Sequence, residues 1–436
     1  MGGIFCSQSS TARASGDRCE GSFCLFRKTG PSAPPELREE ALKGFETTFG
    51  GRPSVFGVAP GRAEVLGNHT DHSEGFILSC AIDRYILVAA RKAPLERGSL
   101  CRLHSSTFPG FTVEFDAGLQ PESFAKNKQQ EKSRSWANYM IGVVSELRKS
   151  GCKVGGFDAY VTSTVPPGAA VSSSAALEMA TAVMLSKLFP EQVGHLDQVA
   201  LVKVAKAAEN NFVGMGCGIL DQFSSGMGKA GALLFLDCRT LDHNTVPFTG
   251  VQFVLANTHA PHSLVDGQYD MLRRHCEAAK DVIAKATGRM DITHLRDVSY
   301  EMLQANKSKL SKDQWHRALH VITENARVLE GVEACKNGDM EKLGKCMSAS
   351  HASSRDDFGN SCRELDIMQT CAADIPGALG SRLMGGGFGG CTINLVKTEC
   401  VEAFVEELSR RYQAQTNIAP SVFVCSPGDG AFTEVL

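Results

Sequence analysis

Apolar residues along this chain recur with two different periods, and each period marks a different kind of element. Between Trp136 and Leu147 they fall at i, i+3, i+4, i+7, i+8 and i+11, which predicts an amphipathic helix that stops at Gly151. Further helices are predicted over 36–49, 173–189, 196–212, most of 268–338, 362–373 and 399–412. Alternating and β-branched runs predict strands over 76–92, 100–115 (a pair), 157–165, 232–236, 251–256, 391–396 and 421–425. Because strands and helices mix without regular βα alternation, the pattern favours an α+β fold over a doubly wound sheet.

The same patterning divides the chain into three parts. Residues 1–35 are rich in Ser, Gly and Pro and show no periodicity, which predicts a flexible leader. We expect a boundary near residue 240 to separate two domains, at 36–240 and 241–436. A chain of 436 residues is long enough to give both of them sizeable cores.

Charge and cysteine usage exclude several classes of protein. The net charge is −3 and the basic residues are spread along the chain, so nothing predicts a nucleic-acid partner. The apolar runs are too short to span a bilayer. The 16 Cys form no C-x-x-C pair and no Cys/His ladder, which favours reduced, buried thiols over disulfides or a zinc site. These properties are typical of a cytoplasmic enzyme, which we expect to be a monomer.

The first residues allow two interpretations. Gly2 follows the initiator Met in the way that N-myristoylation requires, although Cys6 stands where Ser or Thr is preferred. Cys6 could itself carry a palmitoyl chain, and two lipid chains are what stable membrane anchoring needs. The alternative is a disordered leader that happens to begin with Met-Gly.

The segment Gly61–His72 is unusually polar for its position between two apolar runs. It contains one Arg, one Glu, one Asn, one Thr, one Asp and two His. A segment that needed only to fold would not carry so many polar groups. Its composition indicates a pocket that binds a polar small molecule.

A second segment, Pro166–Glu178, has the composition of an anion-binding loop. The predicted strand 157–165 runs into Pro-Pro-Gly-Ala-Ala-Val, then three serines, then a predicted helix that Ser172 or Ser173 is expected to cap. The first-turn N–H groups and the positive dipole end of that helix would face the loop. A capped helix after a tight turn, with no ligand, is the alternative. No G-x-x-x-x-G-K-[ST] loop occurs in the chain.

Two carboxylates, Glu209 and Asp221, lie twelve residues apart across a Gly-rich turn. Phosphoryl transfer needs a metal ligand and a group that orients or deprotonates the attacking hydroxyl, and these residues could supply the two functions separately. Considered without their context, they could equally be ordinary surface carboxylates.

Two further motifs are misleading when read alone. Gly385–Gly390 satisfies G-x-G-x-x-G, but a predicted strand follows it, whereas a dinucleotide-binding fingerprint requires a helix there. Asp357–Gly359 spells D-F-G, but no H-R-D-x-x-x-x-N loop precedes it, so the match to protein kinases is a coincidence.

Together these segments resemble the motif set of the galactokinases, a family of GHMP small-molecule kinases. Gly61–His72 is similar to the family's G-R-x-N-L-I-G-E-H-T-D-Y, and Pro166–Ala176 to its P-x-G-x-G-L-S-S-S-A-A. Gly385–Gly390 resembles the third GHMP motif, a loop that buttresses the phosphate site. The similarity runs from about residue 53 to the C-terminus. This chain departs from the family pattern at Glu64 (for Asn), Asn68 (for Glu), His72 (for Tyr), and Ala169 and Ala170 (for Gly).

The resemblance implies an N-terminal domain of the ribosomal-protein-S5-like type and a C-terminal ferredoxin-like domain, with the active site between them. It implies Asp221 as catalytic base, Arg62 as stabiliser of developing charge, and Ser174 and Glu209 as Mg²⁺ ligands. The ATP-binding residues that it implies are Gly168, Ala169, Ala170, Val171, Ser172, Ser173, Ser174 and Trp136. The sugar-binding residues that it implies are Asn68, His69, Thr70, Asp71, Gly218 and Tyr269.

The implied reaction is transfer of the γ-phosphoryl group of MgATP to the anomeric hydroxyl of galactose. Two alternatives remain open at this point. Asn68 would not repel a C6 carboxylate as the family's Glu would, so a galacturonate 1-kinase or another sugar 1-kinase is one of them. The other is a non-catalytic galactose and ATP sensor; such sensors have a shortened Ser-Ala segment, whereas Ser172–Ala176 is intact here.

Overall fold

The computed structural model describes residues 31–166, 168–260 and 267–436. Most of the predicted leader lies outside the described residues, as do Gly2 and Cys6, so the expectations about a flexible leader and a lipid anchor stay predictions. Among the described residues, no helix is long and apolar enough to cross a membrane.

The described chain forms helices and strands in an irregular order, as the sequence pattern predicts. The helices are α1 (Pro35–Phe49), α2 (Ala137–Lys149), α3 (Ser173–Leu188), α4 (Pro190–Val193), α5 (Gln198–Ala207), α6 (Leu220–Met227), α7 (Gln268–Thr287), α8 (Tyr300–Ala305), α9 (Lys312–Lys336), α10 (Met340–Ser353), α11 (Arg363–Ala373) and α12 (Val401–Thr416). The strands are β1 (Val55–Leu66), β2 (Phe76–Lys92), β3 (Leu100–Ser105), β4 (Val113–Asp116), β5 (Phe157–Ser163), β6 (Ala232–Asp237), β7 (His243–Pro247), β8 (Val251–Asn257), β9 (Ala378–Leu383), β10 (Cys391–Lys397), β11 (Ser421–Cys425) and β12 (Phe432–Val435).

The first sheet carries the segments that the sequence marks as functional. Its order is β12-β1-β2-β5-β3-β4, and β6 pairs with both β2 and β7. Among the strand pairs of this sheet that the structure describes, β3–β5 alone is parallel. Helix α1 packs on one face of this sheet through Leu37, Ala41 and Phe45, whereas α3 packs against β1 and β2. The sheet therefore fixes β1, and the second half of β1 is the start of the polar segment Gly61–His72.

The second sheet is antiparallel throughout, in the order β11-β8-β10-β9. Helices α11 and α12 cover it with an apolar cluster that includes Met368, Phe404 and Tyr412. The chain passes from the first sheet to the second between β7 and β8, and β12 returns to the first sheet. One continuous core links residues of both sheets, and the predicted domain boundary near residue 240 stays a prediction.

Most of the predicted elements are present, with boundaries within a few residues. The predicted helix 196–212 is shorter than expected, because α5 ends at Ala207 and a π turn, Ala208–Val213, follows it. Four strands were not predicted: β1, β7, β9 and β12. All twelve residues of β1 are buried, so this strand lacks the alternation of apolar and polar residues that identifies a half-buried strand.

Candidate active site

A cavity of about 410 Å³ lies beside the end of β1 and the polar turn that follows it. The N-terminus of α6 and the third glycine cluster, Gly385–Gly390, complete its walls. Most of the predicted catalytic, metal-binding and sugar-binding residues line it. Those residues are Arg62, Asn68, His69, Asp71, Glu209, Gly218, Asp221 and Tyr269. The polar segment, the two carboxylates and the glycine cluster, which lie far apart in sequence, therefore share one cavity.

Arg62 joins the predicted base, Asp221, to residues 168–174, the predicted phosphate-binding loop (hereafter the phosphate loop). Its Nε donates to Asp221 Oδ1 at 2.8 Å and its Nη1 donates to the carbonyl of Ala170 at 2.6 Å. Arg62 is 4 % exposed, so this ion pair is shielded on the arginine side. Asp221 lies in the first turn of α6, and its side chain is 27 % exposed, which leaves the carboxylate accessible from the cavity.

Ser172 has a different role from the one that the sequence predicts. It precedes α3, but its side chain caps no backbone N–H of that helix. Its backbone is in the left-handed region at φ 55°, and its hydroxyl donates to Asp221 Oδ2 at 2.5 Å. The helix-capping prediction is therefore wrong for Ser172, because the carboxylate of Asp221 binds that hydroxyl. Ser173 begins α3 and makes no capping bond either.

The phosphate loop packs against the third glycine cluster. Ala170 lies at φ 54°, a conformation that costs a residue with a Cβ atom roughly 1–2 kcal/mol. A Cβ atom added to Gly390 would lie 2.9 Å from the Ala170 methyl group, and one added to Gly385 would lie 3.6 Å from it. The methyl group that replaces a family glycine thus fills space that the glycine cluster leaves free.

Glu209 lies in the π turn Ala208–Val213, an irregularity that is frequent at functional sites. Its Oε2 accepts hydrogen bonds from Cys217 Sγ at 3.4 Å and from Gln222 Nε2 at 2.5 Å, and the Ser174 hydroxyl lies close enough to lower its pKa. Burial, followed by the nearby charge of Asp221, raises the pKa of Glu209. A bound cation would offset that repulsion between carboxylates, so Glu209 and Ser174 suit a metal ion.

Among the described residues, no cluster of three or more His, Cys, Asp or Glu side chains could hold a metal ion. Mg²⁺ does not require such a cluster, because it commonly binds one or two protein groups together with water and substrate phosphates. The pair of Glu209 and Ser174 fits that mode of binding.

At the other end of the cavity, Asp71 lies against the backbone of Gly218. A Cβ atom on Gly218 would lie 1.8 Å from Asp71 Oδ2, so only glycine fits there. Asp71 Oδ1 accepts from the backbone N–H of His72 at 2.9 Å, and Oδ2 lies 3.4 Å from the N–H of Leu220. Burial and the charge of Asp221 raise the pKa of Asp71 to about 6. These contacts fix the carboxylate while leaving it on the cavity wall.

His69 and Tyr269 form an aromatic wall. The His69 ring stacks on Phe358 at a centroid distance of 4.4 Å and lies 5.0 Å from the Tyr269 ring. Burial lowers the pKa of His69 well below its ordinary value, and the neighbouring His72 lowers it further. The imidazole is therefore neutral, and its Nε2 lies 3.2 Å from the carbonyl of Gly386.

Thr70 and Asn68 differ from the expectation that they contact the sugar. Thr70 does not line the cavity: it is fully buried, and its hydroxyl lies within 2.8 Å of the carbonyls of Gly67 and Phe76. Asn68 does line the cavity, but its Nδ2 donates to Glu64 and to Gly385, and its Oδ1 accepts from Asn360. Because hydrogen bonds within the protein use both the nitrogen and the oxygen of this amide, it is not free to bind a sugar hydroxyl.

The pairing of Glu64 with Asn68 is a feature that the sequence alone did not reveal. Glu64 Oε2 accepts from the N–H of Gly385 at 3.0 Å, and Asn68 Nδ2 donates to the carbonyl of the same residue at 2.7 Å. Arg382, fully buried, lies 3.4 Å from Glu64. The two departures from the family pattern are therefore partners in space, and together they hold the glycine cluster. The sequence signal that could have indicated this pairing is that both departures lie in one segment, four residues apart.

Trp136, predicted to lie near the adenine, is not among the residues that line the cavity. It precedes α2 and is 7 % exposed. The Phe108 ring lies nearly parallel to the indole at a centroid distance of 6.4 Å, and the indole N–H has no hydrogen-bond partner among the described residues.

Comparison with known proteins identifies the family of this chain. A model of the galactokinase galactose-binding signature matches residues 43–92, the segment that contains Arg62 and Asp71. Models of the GHMP kinase N-terminal and C-terminal domains match residues 138–229 and 332–414. The galactokinase of Roseiflexus sp. is 37 % identical over 398 residues, which cover 91 % of this chain and 96 % of that protein. The chain belongs to the galactokinase family.

Other galactokinases give the same result. That of Bacillus subtilis is 36 % identical over 91 % of this chain and 98 % of its own length. The crystal structure of Lactococcus lactis galactokinase complexed with galactose has a TM-score of 0.80 at 29 % identity, over 90 % of this chain and 98 % of that one. The predicted family and the α+β GHMP kinase fold are confirmed. Mevalonate kinase, at 15 % identity and a TM-score of 0.57, shares the fold alone.

Proposed function

We propose that this protein is a galactokinase that transfers the γ-phosphoryl group of ATP to the anomeric hydroxyl of galactose. The observation that carries the proposal is the linkage from Asp221 through Arg62 to the phosphate loop, beside a cavity that Asp71 lines. The proposed base, the guanidinium and the proposed phosphate loop then belong to one network of hydrogen bonds, which supports the proposal. Identities of 36 % and 37 % to two galactokinases, each over 91 % of this chain, support the same conclusion.

In this mechanism Asp221 accepts the proton of the attacking C1 hydroxyl. The hydrogen bonds from Arg62 and Ser172 fix its carboxylate, so that the geometry for proton transfer is set before substrate binds. Arg62 also lies against the phosphate loop, where its charge would stabilise negative charge on the transferred group.

The ATP phosphates would lie on residues 168–174 at the N-terminus of α3. No side chain accepts a hydrogen bond from the backbone N–H groups of its first turn, so these donors, together with the helix dipole, remain available for phosphate oxygens. Trp136 would lie near the adenine. Ser174 and Glu209 would hold Mg²⁺, which neutralises charge on the phosphates when it is bound.

Galactose would lie between Asp71, the backbone of Gly218 and the aromatic wall of His69 and Tyr269. A carboxylate can accept hydrogen bonds from two neighbouring ring hydroxyls, and the neutral imidazole adds no charge. Asn68 would act indirectly by fixing Gly385. The comparisons do not favour the galacturonate 1-kinase, and the engaged amide of Asn68 removes the reason for expecting it.

The test is a coupled ADP-release assay on wild type and Asp221→Asn, with galactose, glucose and galacturonate as acceptors. We expect galactose to be the preferred acceptor and the variant's kcat to fall by about 10²–10⁴-fold. Asp270→Asn is the matched control, because Asp270 also borders the cavity but is exposed. Wild-type turnover in Asp221→Asn, or indifference to galactose, would overturn the proposal.

A further inference from the structure

A chain of buried hydrogen bonds lies behind Glu209, on the side away from the cavity. Gln222 Nε2 donates to Glu209 Oε2 at 2.5 Å and to Glu178 Oε2 at 2.9 Å. Glu178 lies on α3 and Gln222 on α6, and both side chains are fully buried. A single amide group therefore bridges two carboxyl groups from different elements.

This bridge leaves two buried polar atoms without a hydrogen-bond partner in the described part of the chain, unlike an ordinary buried polar contact. Both N–H groups of the Gln222 amide are used by carboxyl oxygens, and its Oε1 and Glu178 Oε1 have no partner among the described residues. Buried polar groups without partners destabilise a fold. Burial and the charge of Glu209 raise the pKa of Glu178 well above its ordinary value, which fits a neutral acid at this position.

The bridge lies where it can control the metal-binding carboxylate. Gln222 follows Asp221 directly, so the same turn of α6 carries the proposed base and the amide that holds Glu209. Glu178 lies four residues after Ser174 on α3, about one helical turn from the other proposed metal-binding group. The hydrogen bonds of Gln222 therefore connect Glu209 to both α3 and α6, and α3 also carries Ser174.

We propose that Glu178 is a positioning residue that acts through Gln222 to fix the Glu209 carboxylate for metal binding. The inference rests on the proposed function in one respect, that Glu209 binds the metal of the nucleotide. Glu178 itself does not line the cavity and would not touch substrate or metal.

The experiment compares Glu178→Ala, Glu178→Gln and Thr181→Ala with wild type. Thr181 is a matched control, because it is fully buried on the same helix and its hydroxyl donates only to the carbonyl of Leu177. The probe is Mn²⁺ in the presence of ADP, with free Mn²⁺ measured by electron paramagnetic resonance. The Kd for ADP without metal and the KM for galactose are measured alongside.

Partners in the shell around metal ligands typically change metal affinity by about 10–100-fold when they are removed. We therefore expect Glu178→Ala to raise the Mn²⁺ Kd by about tenfold or more, with the metal-free ADP affinity and the galactose KM unchanged. Glu178→Gln retains an acceptor for Gln222, so its Mn²⁺ Kd should stay near that of wild type. Thr181→Ala should match wild type in every measurement.

A wild-type Mn²⁺ Kd in Glu178→Ala would refute the inference, as would an equal loss in Thr181→Ala. If Glu178→Ala does not fold, Gln222→Met replaces it with the same expected result, since it removes the bridge from the other side. Glu209→Ala separates the two proposals: unchanged Mn²⁺ binding in that variant would refute the metal role of Glu209 itself.

Discussion

The contact between Gly218 and Asp71 gives the sharpest test of the sugar end of the cavity. In Gly218→Ala the new methyl carbon would lie 1.8 Å from Asp71 Oδ2 and 2.1 Å from its Cγ, whereas ordinary contact begins near 3.4 Å. The carboxylate would have to retreat by more than 1 Å, a displacement that can cost about 10²-fold in activity. The backbone N–H of His72 holds Asp71 at its other oxygen, so it cannot retreat without losing that bond.

We therefore expect Gly218→Ala to lower kcat/KM for galactose by about 100-fold or more, measured by coupled ADP release. The affinity for ADP should be unchanged, because the phosphate loop is not touched. Gly216→Ala is the matched control: it lies in the same turn, and its methyl carbon would lie 3.3 Å from its nearest neighbour, the mobile end of Arg273. Wild-type kinetics in Gly218→Ala, or an equal loss in Gly216→Ala, would refute the assignment of Asp71 to galactose.

Three further predictions concern stability. Gly390→Ala should lower Tm, because φ is 79° there and the new methyl group would lie 2.9 Å from that of Ala170. Adding Ala170→Gly should recover the part of the loss that the clash causes. If the changes in stability of the two single variants simply add in the double variant, the two loops are not in contact. The pKa of Asp71 is raised to about 6, so its ionisation between about pH 4 and pH 6 destabilises the folded state. In urea unfolding, Asp71→Asn should therefore become more stable relative to wild type as the pH rises through that window. A difference in stability that does not change with pH would contradict this. Asn68→Glu should lower the free energy of unfolding by about 3–5 kcal/mol, because a second buried carboxylate would face Glu64. Adding Glu64→Asn should restore much of that loss, and no recovery in the double variant would refute the pairing.

The sequence predicts this fold best where burial is one-sided. Helix α1 buries Leu37, Ala41 and Phe45 along one face, and it lies within one residue of its predicted range, 36–49. Strand β1 is buried along its whole length, so period-2 alternation is missing, although it carries the most informative residue, Arg62. Strand β12 is short and pairs with a distant partner, which no local pattern can indicate.

The candidate site is predictable to the level of its motifs, but not of their contacts. The resemblance of the polar segment, of Pro166–Glu178 and of the carboxylate pair to galactokinase motifs is enough to predict that Arg62 and Asp221 belong to one site. The use of Ser172 by Asp221, and of the Asn68 amide by Glu64 and Gly385, depends on which loops meet in space. Glu178 offers no signal at all, because a single acidic residue in an Ala-rich helix is unremarkable until its neighbours are known.

Pairing of β12 with β1 has a consequence for biosynthesis. Val55 to Val58 bond to Val435 to Phe432 on one side, and Glu434 also binds Ala33 and Arg38 at the start of α1. While the ribosome is still translating the second sheet, that flank of β1 stays open, as an unpaired strand edge exposed to other chains. The nascent protein therefore keeps an unpaired strand edge until Phe432–Val435 is made, and a chaperone that shields Val55–Val58 would protect that edge in the interval.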